Sequence, residues 1–387
     1  MTVCSPDAVI IGGGLAGASS AYALARRGLK VLLCEGESAL AQRASGNRLA
    51  LIMPYISDYS SPLERVYSTG FRFTIEMLRS VFSQEGLLNQ VGGIQLPTTT
   101  RLKKLIHDRT AIIGSTEIQR ISALEGSELS GITISHPSLY APESGYVSPV
   151  RMVEALLLHG GAQTGEIRMN TQVIDLKRDH TGWCCYLASG DTISTPNVIV
   201  CGAYESSALT PLSWLPLEPV RGQTVSVKSS PTSRALRTII CFDGYLTPEH
   251  AGAHLLGAQY RHNDLRLTPS EEDSSEILLR CQRWLPELQF TPTSIESPRV
   301  CFRTSTADRL PYIGAVPDLP AIQRESSSLQ PGLFVNVGHG SRGLLSCPFA
   351  GELIARLITE EALGDLTEVA KLCAPERLIS RFQAASV

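Results

Sequence analysis

The chain has 387 residues, 43% hydrophobic and 18% charged, with 32 glycines and 23 prolines, which excludes a disordered, collagen-like or coiled-coil protein. At roughly 150 residues per domain the length predicts two to three domains with a large core. No run of about 18 apolar residues offers a membrane span, no basic leader opens the chain, and a formal net charge of -3 predicts no overall attraction for nucleic acid, so a soluble, cytoplasmic protein is expected.

Residues 8–11 form a short apolar run, followed by Gly12-Gly13-Gly14-Leu15-Ala16-Gly17 and a helical pattern through Ala18, Ala21, Leu24 and Ala25 that Gly28 stops. A second apolar run, 31–34, ends at Glu35, which completes a strand, helix, strand unit of the size a parallel element needs. Pro62 after Ser61 predicts a helix through Leu78, and 91–96 reads as a strand. Ser148 and Pro149 stand in the order of an N-cap and first helical residue, with Gly160 and Gly161 as the stop. Strands are expected at 171–176, 183–187 and 198–200, then at 224–227, 238–242, 254–256 and 300–304, with a helix over 274–285. A last strand, 333–337, meets Gly338-His339-Gly340-Ser341-Arg342-Gly343, and 349–358 is helical. The ten cysteines, Cys4, Cys34, Cys184, Cys185, Cys201, Cys241, Cys281, Cys301, Cys347 and Cys373, show no metal-ligand spacing and read as reduced, buried hydrophobes; no metal site is expected.

The first glycine cluster carries the clearest chemistry. Gly12 permits a tight turn, Gly14 lets the backbone approach a pyrophosphate, Gly17 allows close helix packing, and Glu35, 21 residues beyond Gly14, suits ribose hydroxyls. A dinucleotide is therefore expected.

The opening resembles the FAD-binding start of the D-amino-acid oxidase superfamily, which includes glycine and sarcosine oxidases. Ala44-Ser45-Gly46-Asn47, the segment 198–202 and Gly338 to Gly343 before a C-terminal helix extend that resemblance over nearly the whole chain. It implies FAD as cofactor and an α/β (α+β) fold, with a Rossmann-like FAD-binding domain interleaved with an antiparallel-sheet substrate domain. The expected division is 1–52, 145–215 and 311–387 for FAD, and 53–144 and 216–310 for substrate. The cofactor residues it implies are Gly12, Gly14, Leu15, Ala16, Gly17, Glu35, Ala44, Ser45, Gly46, Asn47, Val173, Gly202, Gly338, Gly340, Ser341, Arg342, Gly343 and Leu344.

Further segments, 43–48, 241–248, 303–311 and 340–344, resemble the oxidoreductase part of the bifunctional tRNA wobble-uridine modification enzymes. That resemblance implies oxidative removal of the carboxymethyl group from 5-carboxymethylaminomethyl-(2-thio)uridine at the wobble position, leaving an aminomethyl group and releasing glyoxylate. It also implies tRNA, through its anticodon loop, as partner. The FAD motif begins at residue 8, so a separate tRNA methyltransferase is expected for the following step. A glycine-like carboxylate calls for a guanidinium fork. Arg303 resembles the carboxylate-binding arginine of glycine oxidases, with Tyr245 and Arg342 as companions; no general base is assigned. A structural ion pair between Arg303 and Asp308 is the alternative for Arg303, and a half-buried strand aromatic is the alternative for Tyr245.

Other features carry weaker readings. Arg221-Gly222-Gln223 reads as structural or flavin-supporting, His339 as a catalytic or a packed imidazole, and Arg26-Arg27 as a solvated helix end. Between 65 and 120, Arg65, Arg72, Arg79, Arg101, Lys103, Lys104, Arg109 and Arg120 face only Glu76, Glu85, Asp108 and Glu117, a basic segment suited to phosphates or simply a solvated helical face. Two other functions remain open: an oxidase of glycine, sarcosine or a related N-substituted glycine, and a non-catalytic FAD-binding subunit of a larger dehydrogenase.

Overall fold

The computed structural model describes residues 5–57, 60–108, 118–160, 165–318 and 329–379; Cys4, Arg109 and Glu117 lie outside them. Four apolar residues, Ala8–Ile11, are buried on both faces and make the centre of a six-stranded sheet. They pair in parallel with Val31–Cys34 on one side and Asn197–Val200 on the other. Glu166–Arg168 extends the sheet beyond Val31–Cys34, and Leu329–Val337 extends it beyond Asn197–Val200. Tyr312–Pro317 closes that edge antiparallel. The helix Leu15–Ala25 is buried almost all round, because the alanines let the sheet, Pro149–His159 and Gly343–Ile358 approach it closely. A meander of Val173–Arg178, Trp183–Leu187 and Thr192–Thr195 packs on the opposite face.

The second large sheet has eight strands, in the order Ile295–Ser305, Glu218–Lys228, Ala253–Arg261, Tyr245–Leu246, Ile239–Cys241, Gly93–Gln95, Ser138–Ala141 and Gln119–Ile121. Its pairs are antiparallel apart from Ile239–Cys241 with Gly93–Gln95. The helix Glu271–Trp284 covers one face with Ile277, Leu278 and Cys281. The fold is thus mixed α/β, one parallel-dominated and one antiparallel-dominated sheet, as expected.

Local readings differ mainly in extent. The strand expected at 224–227 runs over Glu218–Lys228, because the polar Arg221 and Gln223 that break the apolar run are buried with partners instead of marking an end. Two helices that the apolar pattern missed, Thr100–His107 and Ala123–Ser130, begin at Thr99 and Ser122, whose hydroxyls accept the Leu102 and Glu125 amides. Ser148 occupies the N-cap position of Pro149–His159, yet its side chain makes no capping bond. The nine described cysteines are free and mostly buried. Among the described residues no helix is long and apolar enough to cross a membrane.

Candidate active site

A cavity of about 1210 Å³ joins the glycine-rich turn to the antiparallel sheet. Its first part is built where Ala8–Ile11 gives way to the helix. Gly12 has φ of +110°, and a Cβ there would lie 2.8 Å from Cys201 O; a Cβ at Gly17 would lie 1.9 Å from Gly12 O. Neither position admits a side chain without moving backbone. The Glu35 carboxylate accepts the Gly13 amide at 2.6 Å and the Glu37 amide at 2.8 Å, so one side chain fixes the turn and the end of the next strand. Ser45 Oγ accepts the Leu15 amide at 2.9 Å, which ties residues 44–46 to the helix start. Arg43 bridges Glu37 at 2.7 Å and Glu205 at 2.5 Å along the rim.

Gly12, Gly14, Leu15, Ala16, Glu35, Ala44, Ser45, Asn47, Val173, Gly202, Gly338, Gly340, Ser341, Arg342, Gly343 and Leu344 all line this cavity. Gly17 and Gly46 stand behind the wall; Gly46 offers its carbonyl to Arg299 Nε at 2.8 Å.

The second part is cationic and aromatic. Arg303 Nη1 donates to the Tyr260 hydroxyl at 2.5 Å, and the guanidinium lies 4.7 Å from the Tyr260 ring centroid. Burial works to lower the Arg303 pKa, and the neighbouring Tyr260 and Tyr245 outweigh it, leaving the pKa raised and the group charged. Burial pushes the Tyr245 phenol up, so it is a neutral hydroxyl at pH 7. Arg342 sits 4.8 Å from the Tyr55 centroid and 5.4 Å from that of Tyr67, and its guanidinium has no carboxylate partner among the described residues. Burial lowers its pKa, yet an arginine remains a cation. Asp308 is bound by Arg377 at 2.9 Å, and among the described residues it makes no ion pair with Arg303.

Sequence reasoning missed Tyr260, Tyr55, Tyr67 and Glu37. No signal along the chain marks Tyr260: it lies opposite Gly222 only in the folded sheet, where the bare glycine leaves room for the Tyr260 ring and Arg303 Nε, 3.4 and 3.7 Å from where a Cβ would be. The flanking residues of that motif are structural. Arg221, fully buried, pairs with Asp273 and donates to Arg266 O at 2.8 Å and Thr268 O at 2.8 Å. Arg27, expected to be solvated, is clasped by Glu352 and Glu361, each at 2.8 Å.

His339 lines the cavity with Nδ1 bonded to Ser346 Oγ at 2.8 Å. Burial pushes it down to about 4, so the imidazole is neutral at pH 7. His339 Nε2, Asn336 Oδ1 and Thr304 Oγ1 are buried in the lining without hydrogen-bond partners among the described residues. Buried polar atoms without partners are rare in folded proteins and fit a wall that a bound cofactor completes. Together with the side-chain-free turn at Gly12, they make the residues present compatible with FAD.

The basic segment is partly neutralised. Arg65 pairs with Glu368 at 3.0 Å, Arg79 with Glu143 at 2.8 Å, Arg101 donates to Ser57 Oγ at 3.0 Å, and Arg120 donates to the Leu105 and Asp108 carbonyls. Arg72, Lys103 and Lys104 have no ion pair among the described residues. Among those residues no group of three or more His, Cys, Asp or Glu is placed to hold a metal.

A family model described as FAD dependent oxidoreductase matches residues 7–357. The chain is 31% identical over 396 residues to the tRNA 5-methylaminomethyl-2-thiouridine biosynthesis bifunctional protein MnmC of Pseudomonas aeruginosa (strain UCBPP-PA14), covering 97% of this chain and 60% of that protein. It is likewise 31% identical over 394 residues to the protein of the same description from Aeromonas salmonicida (strain A449), covering 96% of this chain and 58% of that one. The chain thus spans about 60% of the length of the curated relatives it matches. Among solved structures, glycine oxidase from Geobacillus kaustophilus superposes with a TM-score of 0.76 at 22% identity, over 92% of this chain and 95% of that one. L-proline dehydrogenase from P. horikoshii gives 0.78 at 18% identity, over 98% of both. At these identities the two structures speak for the fold.

Proposed function

This chain belongs to the FAD-dependent oxidoreductase family, and on that premise we propose that it oxidises the carboxymethylaminomethyl side chain of the wobble uridine in tRNA, giving the aminomethyl nucleoside and glyoxylate. The observation that carries the proposal is the second half of the cavity, where Arg303, bonded to Tyr260 and beside Tyr245, offers a guanidinium to a carboxylate. The relatives' names, which describe 5-methylaminomethyl-2-thiouridine biosynthesis in tRNA, direct that carboxylate to a modified nucleoside. The cavity, about 1210 Å³, exceeds the roughly 300–1,000 Å³ of ordinary ligand pockets and leaves space for a substrate beside a dinucleotide.

In this reading residues 1–52, 145–215 and 311–387 hold FAD and residues 53–144 and 216–310 present the substrate. The Gly12–Gly17 turn and the start of Leu15–Ala25 receive the pyrophosphate, Glu35 the ribose, and residues 44–47 and 338–344 the remainder. Bound FAD supplies a hydride acceptor for a C–H bond next to an amine. Arg303 binds the substrate carboxylate with two parallel charge-assisted bonds, and the neutral Tyr245 hydroxyl adds a donor. Arg342, lying against the mutually stacked Tyr55 and Tyr67 rings, contributes positive charge without a competing carboxylate among the described residues. Fixing the carboxylate fixes the adjacent methylene, which is the positioning the reaction requires. The amine substrate loses two electrons and two protons in becoming an imine, and water then splits the C=N bond into amine and glyoxylate. Methylation of the freed amine is a separate chemistry, which we assign to a tRNA methyltransferase.

The test is anaerobic mixing of the FAD-loaded protein with tRNA carrying the carboxymethylaminomethyl group. The expected result is loss of the oxidised flavin absorbance and mass-spectrometric conversion of the nucleoside. Bleaching by glycine or sarcosine and not by the tRNA would overturn the proposal in favour of a small-amine oxidase.

A further inference from the structure

The helix Thr100–His107 has two working faces. Arg101, Leu102 and Leu105 line the main cavity, while Lys103 and His107, one turn apart, line a separate groove of about 160 Å³. The opposite walls of that groove are Pro97, His136, Pro137 and Trp284.

We propose that this groove binds one unpaired nucleotide of the RNA, its base against Trp284 and its phosphate on Lys103. The proposal rests on the tRNA reading above and deepens it, because it adds a second contact to the strand one helix away from the reacting nucleoside. The volume corresponds to roughly five waters at about 30 Å³ each, the scale of a single planar ring system. Trp284 is fixed in place: its Nε1 donates to Asp243 Oδ1 at 2.9 Å, and the His136 ring stands edge-on at 5.8 Å between centroids. A rigid aromatic wall loses little entropy on contact, and every base offers it a π-face. Lys103 and its neighbour Lys104 have no ion pair among the described residues, so the free positive charge at the groove complements a phosphate and not an acidic side chain already in place. Asp243, the carboxylate that holds Trp284, is engaged by the indole and by Arg283 at 3.7 Å. Unpaired anticodon-loop nucleotides present bases and phosphates together, which suits an aromatic wall and a lysine side by side.

The experiment is a fluorescence-anisotropy titration of the full FAD-loaded chain with a labelled anticodon stem-loop RNA and with a duplex RNA of equal length. The stem-loop is expected to bind better than the duplex, Trp284→Ala to weaken stem-loop binding about tenfold, and Trp284→Phe to retain most of it. Lys103→Gln is expected to reduce the slope of log K against log salt by about 0.7. Stem-loop binding by Trp284→Ala and Lys103→Gln indistinguishable from wild type overturns the proposal, as does equal affinity for duplex and stem-loop or binding of neither. Flavin bleaching by tRNA carrying the carboxymethylaminomethyl group, measured in parallel, separates the two readings. Bleaching without Trp284-dependent RNA binding removes the groove alone, whereas absence of bleaching removes the proposed reaction and leaves the groove to be judged by the titration.

Discussion

Glu35 accepts the Gly13 amide at 2.6 Å while its other oxygen accepts the Glu37 amide at 2.8 Å. The residue expected to meet a ribose therefore also shapes the turn beneath the proposed pyrophosphate site, and each oxygen keeps a second lone pair for a hydroxyl. Removing it deletes two charge-assisted bonds and leaves two amides without acceptors. Glu35→Ala is expected to weaken FAD binding about tenfold or more, since such bonds are worth roughly 1.5–3 kcal/mol each. FAD fluorescence in the filtrate after ultrafiltration measures this directly, and a variant that holds its flavin like wild type would refute the assignment.

The contrast between Glu35 and Tyr260 shows what was legible in the sequence and why. Glu35 follows a strand at a fixed distance from the glycines, so geometry along the chain reveals it. Tyr260 meets Arg303 across two strand pairings, Gly222 with Tyr260 and Val220 with Arg303, and nothing along the chain announces which tyrosine will face which arginine. The same cause shortened the strand expected at 224–227. A buried arginine reads as a strand end until its partner Asp273, 52 residues away, is known. The parallel core, by contrast, is written in uninterrupted apolar runs such as 8–11 and 31–34.

Arg303 is the proposed carboxylate anchor, and its geometry separates a point charge from a fork. Arg303→Ala is expected to keep FAD and lower kcat/KM on the order of a hundredfold or more. Arg303→Lys should recover little, because an ammonium cannot give two parallel bonds or stack on Tyr260 in the same way. Tyr260→Phe should cost only about fivefold, the loss of one hydrogen bond. Steady-state kinetics on the substrate tRNA decides; an alanine variant within twofold of wild type would take Arg303 out of the site.

His339 gives the fold a pH signature. Burial pushes it down to about 4, against about 6.5 in an unfolded chain. Between those values the unfolded state binds a proton that the folded state does not. The contribution of His339 to stability is therefore full above pH 6.5 and is lost as pH falls towards 4, by roughly 3 kcal/mol at most. His339→Gln is expected to flatten the urea-midpoint profile between pH 6.5 and 4 while leaving the slope above pH 7 as it is. An unchanged profile would mean that His339 is solvated enough to titrate normally.

Arg221 holds Asp273 and two carbonyls, from Arg266 and Thr268, and Gln223 adds the Ser270 amide and carbonyl at 2.8 and 2.7 Å. This network fastens residues 264–273 to the strand whose next register position, Val220 with Arg303, belongs to the proposed substrate end of the cavity. Arg221→Met leaves a buried carboxylate with Arg261 as its remaining cation among the described residues, and breaking such a pair costs about 3–5 kcal/mol. Removing both charges in Arg221→Met with Asp273→Leu should restore a good part of that loss, because the uncompensated charge disappears with its partner. Urea midpoints of the two variants test the argument. If the single variant is as stable as wild type, the network does not stabilise the fold. If the double variant is no better than the single one, the energy lies in the carbonyl contacts of the 264–273 segment and not in the ion pair.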